Sequence, residues 1–160
     1  MFHTFAISLL AASYFAATVP LVDAVKARDR AAVLAMLQQK VNVNAPEADG
    51  TTALHWAVQQ NDVDLADRLI RAGANVRAKN DYGSTPMSEA AIVGNAVMIE
   101  KLLKAGADVN SPNADGQTAL MIVARTGSVD AATVLLNHGA DVNAKEQWRE
   151  QTALMWAAAE

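Results

Sequence analysis

The sequence predicts an all-α repeat solenoid: stacked helix-turn-helix units joined by projecting hairpin turns. Three observations carry the prediction. Gly50, Gly83 and Gly116 recur every 33 residues, as do Gly73, Gly106 and Gly139, and the pair Gly94 and Gly127. A string recurs in step with them: TALHWAV at 52–58, TPMSEAA at 85–91, TALMIVA at 118–124 and TALMWAA at 152–158. A second segment of each unit places apolar residues at i, i+1, i+4 and i+5, which makes one stripe along a helix. Units with a fixed period bury their stripes against one another, so the period itself reports a stack.

The N-terminus does not share this pattern. No Asp, Glu, Lys or Arg occurs from Met1 to Val22, and Phe5 to Ala17 is mostly apolar and small. Residues 1–18 therefore read as a secretory signal peptide. Ala11-Ala12-Ser13 and Ala16-Ala17-Thr18 each offer small residues at the −3 and −1 positions of a cleavage site. The leader Met1-Phe2-His3-Thr4 lacks the positive charge that is usual there. Two other readings compete: an apolar helix capping the first unit, and a retained membrane anchor. The apolar run is short beside the ~20 residues of a membrane span.

The repeats occupy residues 19–160, in units of about 19–51, 52–84, 85–117 and 118–151, with a partial unit at 152–160. The first copy, VPLVDAV at 19–25, is degenerate. The other first helices start at Thr52, Thr85, Thr118 and Thr152, where a hydroxyl can accept a bond from a free backbone N–H. Pro20 and Pro86 take the first helical position, where a missing N–H costs nothing. Turns follow at Gln60-Asn61, Gly94-Asn95 and Gly127-Ser128. The second helices carry their stripes on Val33 and Leu37, Leu65 and Leu69, Met98 and Leu102, and Ala131 and Leu135. Gly73, Gly106 and Gly139 close those helices, where a left-handed backbone is needed. Lys40 holds this place in the first unit. Polar stretches at 41–50, 74–83 and 107–116 then read as projecting hairpins, each ended by a glycine. The fourth hairpin, 140–151, holds one extra residue and lacks the glycine.

A Thr-Pro-Leu-His-like start (Thr52-Ala53-Leu54-His55, Thr85-Pro86-Met87-Ser88), the 33-residue period and the Gly106-Ala107-Asp108-Val109-Asn110 string together resemble the ankyrin repeat family. The resemblance covers residues 19–160. It implies L-shaped units of two antiparallel helices and a hairpin, stacked into a curved solenoid. It also implies partner binding on the concave side, through hairpin tips and first helices, and no catalytic activity. Ser88, Met121 and Met155 replace the motif His, which predicts weaker side-chain bonding at those helix starts. The chain stops at Glu160 inside the first helix of a fifth unit, which reads as a fragment of a longer array, since a terminal repeat needs a polar outer face.

Composition excludes several function classes. A net charge of −4 argues against a general nucleic-acid binder, which needs a basic face. The chain has no cysteine, hence no disulfide, thiolate metal site or Cys nucleophile. His3, His55 and His138 are far apart in the repeat pattern, so no metal site is expected. No phosphate loop or catalytic triad is recognisable, so neither catalytic residues nor a cofactor are expected.

Aromatic residues make up only 5% of the chain, so their placement is informative. Trp56 and Trp156 share one first-helix column, filled between them by Glu89 and Ile122. By the family pattern this column faces the concave side. Tyr82 lies at a hairpin tip and Trp148 in the fourth hairpin. Exposed Trp and Tyr are favoured interface anchors; the competing reading is that these rings pack against neighbouring helices. Asp49, Asp81, Asp115 and Arg149 sit at the hairpin tips, where a solvated face is the plainer reading. The expected function is a monomeric, non-catalytic scaffold for a protein partner. It would lie outside the cytoplasm if the leader is cleaved and in the cytoplasm otherwise, touching a membrane only through the leader. One alternative is a targeting module for an enzyme or effector domain encoded beyond Glu160. Another is a structural spacer or self-assembling stack.

Overall fold

Short polar residues start the helices and left-handed residues end them, and this punctuation sets the architecture. The computed structural model describes residues 20–159; the leader expected over residues 1–18 lies outside the described residues. Among the described residues nine helices run in the order α1 (Leu21–Lys26), α2 (Arg30–Gln38), α3 (Ala53–Gln59), α4 (Val63–Arg71), α5 (Pro86–Val93), α6 (Ala96–Lys104), α7 (Ala119–Thr126), α8 (Val129–Asn137) and α9 (Ala153–Ala157). The odd-numbered helices form one layer, each packed on the next. The even-numbered helices form the other, with α4 on α6 and α6 on α8. Each first helix also packs on the second helix of its own unit. The all-helical stack expected from the period is thus present. Its core includes Leu54, Leu69, Met87, Met98, Leu102, Met121 and Leu135, all fully buried. Burial of such side chains stabilises the fold by roughly 1.5–3 kcal/mol each.

The caps follow the repeat register. Asp29, Asp62 and Asn95 accept bonds from the backbone N–H groups of Ala32, Leu65 and Met98 at 3.0, 2.9 and 3.0 Å. Ser128, next in this column, instead donates its hydroxyl to the Gly94 carbonyl of the preceding unit at 2.8 Å. At the first helices, Ser88 N–H donates to Thr85 Oγ1 at 3.1 Å and Thr85 N–H donates to Ser88 Oγ at 2.8 Å. Replacement of the motif His by Ser88 therefore does not weaken this start: a hydroxyl three residues on reaches back just as an imidazole does. Where Met121 stands, the expected weakening holds. Thr118 Oγ1 is buried and has no hydrogen-bond partner.

Three columns of the repeat turn left-handed whatever residue fills them. All eight glycines have positive φ, and so do Arg28, Lys40, Asn61 and Glu150. These four are the members of the glycine columns that lack a glycine: Arg28 and Asn61 precede Gly94 and Gly127, Lys40 precedes Gly73, and Glu150 follows Gly116. The hairpin glycines are also held by space. A Cβ on Gly83 would lie 2.7 Å from the Ala114 nitrogen of the next hairpin.

The hairpins are laced by one column of side chains. Asn80 Oδ1 accepts from the N–H groups of Tyr82 and Ser84, and Asn113 Oδ1 accepts from those of Asp115 and Gln117. Glu146 takes this place in the longer fourth hairpin. It is only 4% exposed, and its carboxylate accepts from the N–H groups of Trp148, Arg149 and Gln151 at 2.6, 2.7 and 3.0 Å. Those bonds, Gln151 foremost, hold its carboxyl below the usual range. The longer side chain spans the extra residue. Neighbouring hairpins are joined by backbone bonds from Asp81 N–H to the Asp49 carbonyl at 2.8 Å and from Gln147 N–H to the Asp115 carbonyl at 3.1 Å.

Candidate functional site

The first and second hairpins and helices α3 and α5 enclose a groove of about 350 Å³. It is lined by Asp49, Thr51, His55, Trp56, Gln59, Asn80, Tyr82, Ser84 and Glu89. Each charged group is held in place. Asp49 Oδ1 accepts from Thr51 N–H at 2.9 Å, a bond that keeps this carboxyl below its ordinary value. Glu89 accepts from the Ser84 hydroxyl at 2.6 Å. His55 forms the floor and is only 3% exposed. Its Nε2 lies 3.2 Å from the Ser84 carbonyl and its Nδ1 3.2 Å from the Thr52 backbone nitrogen. A carbonyl only accepts and an N–H only donates, so the ring is the neutral Nε2–H tautomer. Burial, more than any other cause, pushes its pKa down.

Trp56 is half-buried and anchored. Its indole N–H donates to Glu47 Oε2 at 2.6 Å, and the Lys26 ammonium lies 4.8 Å from the ring centroid. Lys26 also pairs with Glu47 Oε1 at 2.6 Å. This bond is the main cause that holds the Glu47 carboxyl low and the Lys26 ammonium high. Trp156, three repeats on in the same column, has a different setting. Arg125 lies 5.3 Å from its ring centroid, and its indole nitrogen is buried without a partner. Glu146, the counterpart of Glu47, is already committed to its hairpin. Arg125, Arg149, Gln151, Met155, Trp156 and Ala159 line a second groove of about 220 Å³.

The residues singled out from the sequence thus separate. Asp49, Trp56, Tyr82 and Glu89 meet in the first groove, and Arg149 and Trp156 in the second. Trp148 and Asp115 meet at a fourth-hairpin contact, where the indole N–H donates to Asp115 Oδ1 at 3.3 Å. Asp81 lines neither groove and is exposed. Ile122 corrects the expectation of a continuous surface column: it is 2% exposed and belongs to the core, having no polar end to hold at the surface. Tyr82 and Trp148 are the most open of the aromatics named, at 72% and 78% exposure. Sequence reasoning missed Lys26, Glu47 and Ser84. The column shared by Glu47, Asn80, Asn113 and Glu146 was the available signal for Glu47.

Charge is distributed unevenly. Four acids of the second helices and their caps pair across units, while Asp130 on α8 makes no ion pair among the described residues. Arg30 meets Asp62 and Asp64, Lys101 meets Asp67, and His138 meets Glu100 at 2.8 Å. Asp49, Asp81 and Glu89 have no ion-pair partner among the described residues. Among the described residues no group of acids and histidines could hold a metal ion, and no helix is long and apolar enough to cross a membrane.

A family model described as Ankyrin repeats (3 copies) matches residues 21–113 and, in an overlapping second match, residues 90–160. No curated protein matches the chain.

Proposed function

Since the chain belongs to the ankyrin repeat family, whose repeats generally mediate protein–protein interaction and are typically non-catalytic, we propose that it is a scaffold binding a protein partner on its hairpin and first-helix side. One observation carries this reading: two large aromatic side chains, Tyr82 and Trp148, stand exposed on the hairpins of a chain poor in aromatics. Rings of this kind add contact area at little entropic cost and are enriched among binding hot spots. Trp56 and Trp156 support the same side from the first helices. Asp49, Asp81, Asp115, Glu89 and Arg149 supply a polar rim.

Tyr82→Ala and Trp148→Ala remove exposed rings and leave the core intact. The full chain carrying both changes is compared with the parent as bait, and the bound proteins are identified by mass spectrometry. A partner retained by the parent and lost by the variant supports the reading. Equal retention of every captured protein overturns the role of the hairpin aromatics.

A partner outside the cytoplasm goes with the leader reading of residues 1–18. N-terminal sequencing of exported chain tests it: a mature end at Tyr14 or Val19 supports export, and an intact Met1 in the cytoplasm counts against it.

A further inference from the structure

We propose that the groove between the first and second hairpins receives a Lys or Arg side chain from an exposed basic segment of the partner protein. This rests on the reading that the hairpin side meets a protein. Three observations carry it.

The groove brings Asp49 and Glu89 together with the rings of Trp56 and Tyr82. A long basic side chain matches both: its methylene stem lies on apolar ring surface and its charged head reaches the carboxylates. The volume of about 350 Å³ suits one long side chain better than a folded surface, being at the small end of ligand pockets.

The two carboxylates are fixed before any partner arrives. Glu89 is held by the Ser84 hydroxyl and Asp49 by the Thr51 N–H. Each bond uses one lone pair of a group that accepts several, so acceptor capacity remains. Neither carboxylate is paired with a cation among the described residues, whereas Asp62, Asp64, Asp67 and Glu100 on the second helices all are. Lys26 acts on Asp49 only at a distance, and negative charge without a direct ion pair in a concave place attracts cations and steers their approach.

The chain shows the same recognition within itself. The Lys26 ammonium sits over the Trp56 ring and on the Glu47 carboxylate. A cation against an indole face and a carboxylate is a favourable pairing. The groove offers the same two ingredients on the side facing Tyr82.

The test uses the full chain and two probes, N-acetylated tetra-arginine amide and tetra-glutamate amide, titrated by NMR. Tetra-arginine is expected to shift the Trp56 indole N–H and the Tyr82 and Glu89 amides, and tetra-glutamate to leave them in place. Asp49→Asn with Glu89→Gln keeps both internal hydrogen bonds, and it is expected to weaken tetra-arginine at least about fivefold. Salt at 0.5 M is expected, on the order of a Debye length of a few ångströms, to do likewise. Equal tetra-arginine affinity for the double variant, or shifts confined to the second helices, overturns the proposal. The two readings fail separately. A partner that needs Tyr82 and Trp148 but binds the double variant as tightly as the parent overturns the basic-segment proposal alone. Tetra-arginine binding that needs Asp49 and Glu89, with capture unaffected by loss of the aromatics, supports the groove and removes only the hairpin-aromatic reading.

Discussion

The indole N–H of Trp56 ends on the Glu47 carboxylate 2.6 Å away, and that one bond joins the first hairpin to the first helix of the second unit. Glu47→Ala removes the acceptor from a half-buried donor. The expected loss is about 1 kcal/mol of unfolding free energy, with a change in Trp fluorescence. Lys26→Ala is expected to cost less, because it leaves Trp56 its acceptor. Urea melts of the two variants check the order.

His55 gives the stack a pH dependence. Burial holds its pKa below the ordinary value, so the unfolded chain binds the proton more readily. Its contribution is fully present above about pH 6.5, the unfolded value, and is lost as the pH falls through the lower folded value. The carboxyls of Glu47, Asp49, Asp67, Glu100 and Glu146 are held below their ordinary values, so their losses come at more acid pH. Urea melts at pH 7.5 and 5.5 are expected to show a lower midpoint at the acid pH. His55→Gln is expected to flatten that difference.

Lys40 holds a left-handed backbone at φ 55°, in a column otherwise filled by Gly73, Gly106 and Gly139. A residue with a Cβ is strained there by roughly 1–2 kcal/mol. Lys40→Gly is expected to raise stability by about 0.5–1 kcal/mol, the flexibility of glycine in the unfolded chain offsetting the rest. Gly83→Ala tests the opposite case, with a left-handed φ of 71° and a contact of 2.7 Å to the Ala114 backbone. Its expected cost exceeds about 2 kcal/mol. Thermal melts read both.

Thr85 and Thr118 occupy the same place in successive repeats, but only Thr85 is hydrogen-bonded through its side chain. Valine keeps the branched shape and removes the hydroxyl. Thr85→Val is expected to cost about 1–2 kcal/mol. Thr118→Val is expected to be neutral or stabilising, since it deletes a buried hydroxyl without a partner. A cost at Thr118 as large as at Thr85 would contradict the assignment.

The period exposed the helices, their starts and the left-handed positions because each depends on local backbone chemistry repeated in register. Gly73 and Thr85 could be read for that reason. Ile122 could not: a column position tells which way a residue points, and whether neighbours cover it depends on their size. The Lys26–Glu47–Trp56 contact also escaped, since it joins three residues from two units whose separation follows no helical or hairpin spacing. Glu146 resembles an ordinary surface acid in the sequence. Only the hairpin's folded path reveals three backbone donors around it.

The backbone bonds between hairpins have a mechanical consequence. Asp81 ties the second hairpin to the first and Gln147 ties the fourth to the third, while the corresponding amide of the third, Ala114, makes no such bond to the second. The second and third hairpins meet instead through the close approach of Gly83 to Ala114 and through Lys79 Nζ, which donates to the Pro112 carbonyl at 3.0 Å. The acidic groove lies within the first pair of hairpins, so its shape is set before contact. The outer seams are thus held by main-chain bonds that side-chain substitution leaves in place, and the middle seam by a glycine and a lysine that substitution can change.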